Sequence, residues 1–248
     1  MISLCLGLGV AFAMTAAAGA SAATLYVSNS APVIAGGASC AQPDYSSVQA
    51  AIEGSGANPK ISVCPGTYTE QLAITKPLKL SAASGPGTAT VAMPASPAAS
   101  SPSCDPEPQF DAVSVCTSGT VSISDLDVEA VVPITTCGDG LNGIFIGEGT
   151  LKATNVVVDG ASTSLDDYKG CQHGVAIDVG SIEPTEVAHA VLKGVTAYGY
   201  EKNGPTVSGE GSTMLVEDST VTGEGPSPWI AQNGIQVAFG GEGTIKSS

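Results

Sequence analysis

Arginine is absent from this 248-residue chain, and all eight basic residues are lysine. Twenty-three acidic residues oppose them, for a formal net charge of −15. Nucleic acids and anionic membranes present phosphates that need cationic partners, so neither is an expected ligand. No CxxC or Cys/His spacing of the structural-zinc kind occurs. No acidic spacing matches a defined calcium loop such as the EF-hand. Beyond the N-terminus no apolar run reaches the length of a membrane helix, so no transmembrane segment is expected. Aromatics make up only 4% of residues, with a single tryptophan. What the chain does have is 31 glycines and an apolar set dominated by β-branched residues. That mixture favours short strands and many turns over helices.

Leu4 to Met14 is an apolar run followed by small residues, and Ala20-Ser-Ala22 fits a small-x-small cleavage site. Residues 1–22 therefore read as a signal peptide, although Met1-Ile2-Ser3 lacks the usual basic residue. The product is expected to be secreted, extracellular or in the cell envelope. Six cysteines remain beyond the signal: Cys40, Cys64, Cys104, Cys116, Cys137 and Cys171. An even count in an exported chain suggests disulfides. Pairing between sequence neighbours gives 40–64, 104–116 and 137–171, one of fifteen possible arrangements.

A repeat organises the rest. Asp111, Asn142, His173, Asn203 and Asn233 fall at spacings of 31, 31, 30 and 30 residues. Each opens the same pattern: polar, small, apolar, variable, apolar. The copies read Asp-Ala-Val-Ser-Val, Asn-Gly-Ile-Phe-Ile, His-Gly-Val-Ala-Ile, Asn-Gly-Pro-Thr-Val and Asn-Gly-Ile-Gln-Val. A fixed period of this length marks a repeat architecture in which each unit buries its apolar face against the next. Positions +2 and +4 are apolar and are expected to face inward, and the mixed +3 column outward. The five opening residues are expected to stack as a structural ladder. The following glycines suit a positive φ, and Pro205 predicts a local irregularity. A second strand follows in each unit. Segments 121–128, 151–158, 190–197 and 214–221 align as strand, turn former and strand, with Asp125, Asn155, Gly194 and Asp218 at the bend. Ser46–Glu53 is the one expected helix, capped by Asp44 or Ser46. Residues 94–109 read as a protruding loop. Gly243–Ser248 looks like another second strand with no cap after it, so either a longer chain or a partner is expected to cover that end.

Tyr45–Ile52, Ile61-Ser-Val-Cys-Pro-Gly-Thr-Tyr-Thr-Glu70 and Leu72–Leu80, together with the Asn-Gly-Ile-x-Val units, resemble secreted bacterial right-handed parallel β-helix repeat proteins of the pectin-lyase-like superfamily. The resemblance covers roughly residues 24–248. It implies an all-β fold, a three-sheet right-handed parallel β-helix with a short N-terminal capping helix, in one domain over 23–248. It implies carbohydrate as the commonest ligand, without implying catalysis.

Lyases and esterases of that superfamily resemble one another in relying on arginine, which this chain lacks, although a lysine base remains open. Asp166-Asp167 and His173-Gly174 superficially resemble the polygalacturonase segments. However, Gln172 replaces a glycine and the Arg-Ile-Lys segment is absent. Candidate catalytic groups are thus Asp166, Asp167, Asp178 and His173, since paired carboxylates can cleave a glycosidic bond. The competing reading makes His173 a ladder residue and the acids solvated loop residues. Asp178, Glu183 and Glu186 are candidate ligands for calcium, the one cofactor the acidity admits; none is required. Trp229, Tyr198 and Tyr200 are a candidate sugar-stacking platform, although a lone tryptophan in Pro226-Ser-Pro-Trp229 also serves simply to pack a loop. His189 reads as a surface residue. The leading function is an extracellular scaffold or binding protein with polysaccharide or cell-envelope glycan as ligand. The alternatives are a polysaccharide lyase or glycoside hydrolase acting through acids on the outer sheet face, and a purely structural or adhesive solenoid.

Overall fold

A computed structural model describes residues 23–99, 109–133, 135–137, 140–180 and 187–248. The expected signal peptide, Cys104, Glu183 and Glu186 lie outside the described residues.

The chain folds as a parallel β-helix. Every strand-to-strand ladder among the described residues is parallel, and each joins a strand to its counterpart in the next coil. The coil has three faces. The first carries Leu72–Ile74, the leading halves of Gln109–Ser124 and Gly140–Thr154, then Val175–Val179, Asn203–Ser208 and Gln236–Ala238. The second carries Thr24–Val27, Lys60–Val63, Leu78–Ala82, the trailing halves of those two long strands, Ala188–Lys193, Thr213–Glu217 and Glu242–Lys246. The third carries Gly66–Thr69, Ala89–Ala92, Asp127–Val132, Val157–Thr163, Thr196–Tyr198 and Thr220–Thr222. Gln109–Ser124 and Gly140–Thr154 bend through the corner on register shifts around Cys116 without breaking. The first two faces therefore join as one 12-stranded sheet beside a 6-stranded third face, where three separate sheets were expected.

The core is a set of stacked columns. Val121, Leu151, Ala190 and Met214 lie in one file, and Ile123, Ala153, Leu192 and Val216 in the next, all at most 2% exposed. On the third face Val128, Val158 and Ala197 continue the same packing. Alternation along each strand sends these residues inward.

The corner between second and third faces takes one residue. Asp125, Asn155 and Asp218 have φ of 58°, 52° and 52°, and Gly194 has 63°. Asp and Asn tolerate this left-handed conformation better than other side chains, and glycine adopts it freely. The N–H of each bend residue reaches a carbonyl of the next coil, Asp125 to Thr154, Asn155 to Lys193, Gly194 to Glu217 and Asp218 to Lys246. Asn155 Nδ2 also donates to Asp125 Oδ1 at 3.1 Å.

The helix spans Val48–Gly54 and buries Val48, Ala51 and Ile52. Its cap is Ser47, whose Oγ accepts the Ala50 N–H at 3.0 Å, and not Asp44 or Ser46. Asp44 instead accepts the Tyr26 N–H. The Glu70 carboxylate takes the N–H groups of Val48 and Gln49, both at 2.8 Å. Gln49 Oε1 takes the Ala73 N–H, so the helix docks beside the lowest first-face strand. Disulfides join Cys40 to Cys64 and Cys137 to Cys171, with Cα separations of 5.5 and 5.0 Å.

Candidate functional site

The corner that leads from the third face into the first is where the repeat changes. Asp111 pairs with Asn142, and Asn142 Nδ2 donates to Asp111 Oδ1 at 2.9 Å. Asn203 bridges to Asn233, whose Nδ2 donates to Asn203 Oδ1 at 2.8 Å. Between these two pairs the ladder is interrupted. Val175, not His173, stands opposite both Asn142 and Asn203. His173 is therefore not a ladder residue: its coil has slipped by two positions. Ile177 and Val179 take the inward places expected of Val175 and Ile177. A slip of two preserves which side chains face in, so the core tolerates it. Pro205 pairs with Ile177 in register on one side, whereas toward the next coil the ladder resumes only at Thr206 and leaves Asn203–Asn233 as an isolated bridge, the local irregularity expected in that coil.

The glycines after the opening residues also act differently from expectation. Of these, only Gly174 has a positive φ, 86°. At Gly143 a Cβ would collide with Val158 and the Ala176 carbonyl, and at Gly204 with Val221 and the Gly234 carbonyl. Those two are glycine for want of space. The +3 column is outward but not exposed, since Phe145 is 1% accessible and Thr206 is buried.

The slip gives His173 a new neighbour. The offset that pairs Val175 with Asn203 places His173 beside Glu201, a residue the sequence reading passed over. His173 Nε2 lies 3.3 Å from Glu201 Oε2, within ion-pair reach but off hydrogen-bond alignment, and both side chains are at most 6% exposed. The Glu201 carboxylate also accepts the N–H of Gly170 at 2.9 Å on Oε1 and of Thr163 at 3.2 Å on Oε2. Burial alone would raise this carboxyl. The His173 ring and the two backbone donors outweigh burial and hold it below its ordinary value. The seat is prepared one coil below. Gly160 and Ala161, at φ 95° and 49°, form a bulge in Val157–Thr163, and the Ala161 carbonyl accepts the Glu201 N–H. The Gly174 carbonyl accepts from both Lys202 and Asn203, which fixes the slipped register.

A cleft opens beside this pair, between the 162–170 segment and the 223–232 loop. Lys169, Gly170, Glu201, Glu224, Ser227 and Trp229 line it, with Tyr200 and Gln232 behind them. It adjoins a larger hollow of about 480 Å³ that shares Tyr200, Ser227, Ile230 and Gln232. Trp229 is 65% exposed at the rim, whereas Tyr200 is 1% exposed and belongs to the core. Tyr198 points outward from the third face beside Asp159. The three rings do not share one face: Trp229 is exposed at the cleft rim, Tyr198 is exposed on the third face and Tyr200 is in the core.

The acidic candidates separate as well. Asp166 and Asp167 sit on the exposed 3-10 turn Asp166–Tyr168, where Asp166 Oδ1 meets Lys169 Nζ at 2.6 Å. The Lys169 ammonium holds the Asp166 carboxyl below its usual range. Asp178 lies half-buried in the outward column between Phe145 and Thr206. Among the described residues no group of three or more acidic, histidine or cysteine side chains is placed to hold a metal. His189 is half-buried, and its Nδ1 pairs with Thr213 Oγ1 at 2.9 Å. The third face carries an acidic row that sequence reasoning missed: Glu129 pairs with Asp159, which pairs with Tyr198. The signal was present, because each follows directly after the aligned column Val128, Val158 and Ala197. Burial raises the Tyr198 hydroxyl, helped by Asp159 and the charges of Asp127 and Glu129.

No family model and no curated protein matches the chain. Among solved structures it is similar to rice weevil pectin methyl esterase, at 12% identity and a TM-score of 0.38, over 94% of this chain and 92% of that one.

Proposed function

We propose that this protein is an extracellular β-helix binding protein whose ligand is a polysaccharide, held at the cleft beside Trp229. The observation that carries the reading is an indole 65% exposed at the rim of a cleft whose walls supply carboxylate, hydroxyl and ammonium groups. An aromatic face suits the apolar face of a pyranose ring, and polar neighbours suit its hydroxyls. Binding is favoured over hydrolysis or lyase chemistry because the buried acid at this site is already engaged. Glu201 meets His173 and accepts two backbone N–H groups, so neither oxygen is free to act on a substrate. Two disulfides, and the reading of residues 1–22 as an export signal, support the extracellular location.

Trp229 is the chain's single tryptophan, so its fluorescence reports on this cleft directly. Titration with a panel of soluble neutral and uronate-containing polysaccharides is expected to shift or quench that emission, and Trp229→Ala to abolish binding measured by calorimetry. Release of reducing or unsaturated ends from the same panel would replace this reading with a hydrolase or lyase. A panel without any binding would leave a structural or adhesive solenoid.

A further inference from the structure

The charges around the cleft narrow the ligand class. Among the described residues Lys169 is the only cationic side chain lining the cleft, and its ammonium pairs with Asp166 at 2.6 Å. Glu201 and Glu224 both act on the same ammonium through space and stand on the cleft wall. Asp166 thus pairs with the one lining lysine and two further carboxylates, Glu201 and Glu224, line the same cleft, in a chain with no arginine and a net charge of −15. Binding a uronate needs a free cation, best a guanidinium fork that grips both oxygens. Here the one lining ammonium is paired with Asp166, and the wider field repels a polyanion before it docks.

The walls are also fixed. A Cβ at Gly170 would lie 2.9 Å from the Trp229 carbonyl oxygen, so the two loops are in contact there. The Gly170 N–H is held by Glu201. Across the cleft, Gln232 Oε1 accepts the Glu224 N–H at 2.8 Å, and its Nε2 donates to the Tyr200 carbonyl at 2.8 Å. Both walls are thus tied to the buried Tyr200-Glu201 segment. The carboxylate of Glu224 stays at an exposed position, where a sugar hydroxyl can donate to it but a sugar carboxylate is repelled.

We propose that the cleft takes an uncharged glycan segment and rejects polyuronates, an inference that rests on the carbohydrate-binding reading above. Trp229 supplies the stacking face, and Glu224 sets the charge preference as a specificity-determining residue.

The test compares uronic-acid oligomers with their methyl-esterified or carboxyl-reduced counterparts, which share a skeleton and differ in charge. Trp229 fluorescence is titrated at low salt with a chelator present, so that no divalent cation bridges carboxylates. The neutral form of a skeleton is expected to bind at least about tenfold more tightly than its acid form. Glu224→Lys, at an exposed position, is expected to shift the ratio of acid-form to neutral-form affinity about tenfold toward the acid form. Added salt is expected to narrow the wild-type difference. Equal or tighter binding of the acid form by the wild type overturns the charge rule while leaving the carbohydrate reading standing. Preference for an amine-bearing oligomer over its N-acetylated form, by tenfold or more, also overturns it, in favour of a cationic ligand. Silence from every oligomer at both Trp229 and the calorimeter removes the carbohydrate reading itself.

Discussion

Two of the coil's three corners behave in opposite ways. Between the second and third faces, a single left-handed residue turns the chain in four successive coils, at Asp125, Asn155, Gly194 and Asp218. Between the third and first faces, the connection varies in length, and in one coil the register slips by two. The first corner is local physics: one residue with positive φ, an N–H directed at the next coil, and apolar residues on either side. The second depends on what the chain meets after it turns. The cleft, the buried His173–Glu201 pair and one disulfide all lie along the second kind of corner. The regular corner stacks; the variable one builds a surface.

Paired substitutions sharpen that contrast. Gly174→Ala should have the largest effect. A Cβ there would collide with the Ala161 carbonyl and the Glu201 Cβ, at a φ of 86°. Left-handed strain and overpacking together should cost about 3–4 kcal/mol, read as a lowered urea midpoint at unchanged slope. An unchanged midpoint would mean that the slipped register is not held by this glycine.

Glu201 comes next, and its signature is pH. Its folded pKa lies below its unfolded value, so its contribution is present above the unfolded value and is lost as pH falls through the folded one. Wild-type stability should decline as pH falls below about 4.5. Glu201→Gln should be less stable than wild type at pH 7, by about 1–2 kcal/mol, and the difference should shrink on acidification. Parallel pH curves for the two proteins would exclude a charged Glu201 in the folded state.

Smaller effects belong to the regular corner. Gly194→Ala shares the left-handed backbone, but the nearest atom its Cβ would meet is Asn155 Oδ1, on a side chain that can move. The cost should be about 1 kcal/mol. Asn155→Ala should be smallest, about 0.5–1 kcal/mol, because it loses one exposed hydrogen bond to Asp125 and a residue suited to positive φ. If Gly194→Ala proves as damaging as Gly174→Ala, the distinction between the corners fails.

Most of the fold was legible because its signals are short-range. The alignment of 121–128, 151–158, 190–197 and 214–221 matches the pairings residue for residue, since bend residue and apolar alternation repeat together. Little of the cleft was legible. His173-Gly-Val-Ala-Ile177 carries the same pattern as its neighbours, yet its coil sits two residues away from where that pattern places it. Glu201 had no signal of its own. It directly precedes Lys202-Asn203 in a chain with many acids, and only its partners set it apart. Tyr200 and Trp229 looked alike as candidate stacking rings, but one is in the core and the other in solvent.

By itself the sequence determined the coil length, the inward columns and the one-residue corner, because each follows from alternation along a strand and the φ preference of one residue. It left open which residue stacks on which at the variable corner, since a slip of two keeps every apolar side chain inside and costs the pattern nothing. Only the tertiary structure decided that, through the bulge at Gly160–Ala161, the Gly174 carbonyl and the loops that meet at Gly170 and Trp229. Two backbone donors, Thr163 and Gly170, and the His173 ring converge on Glu201 from the preceding coil, and their convergence exists only once the coils are stacked.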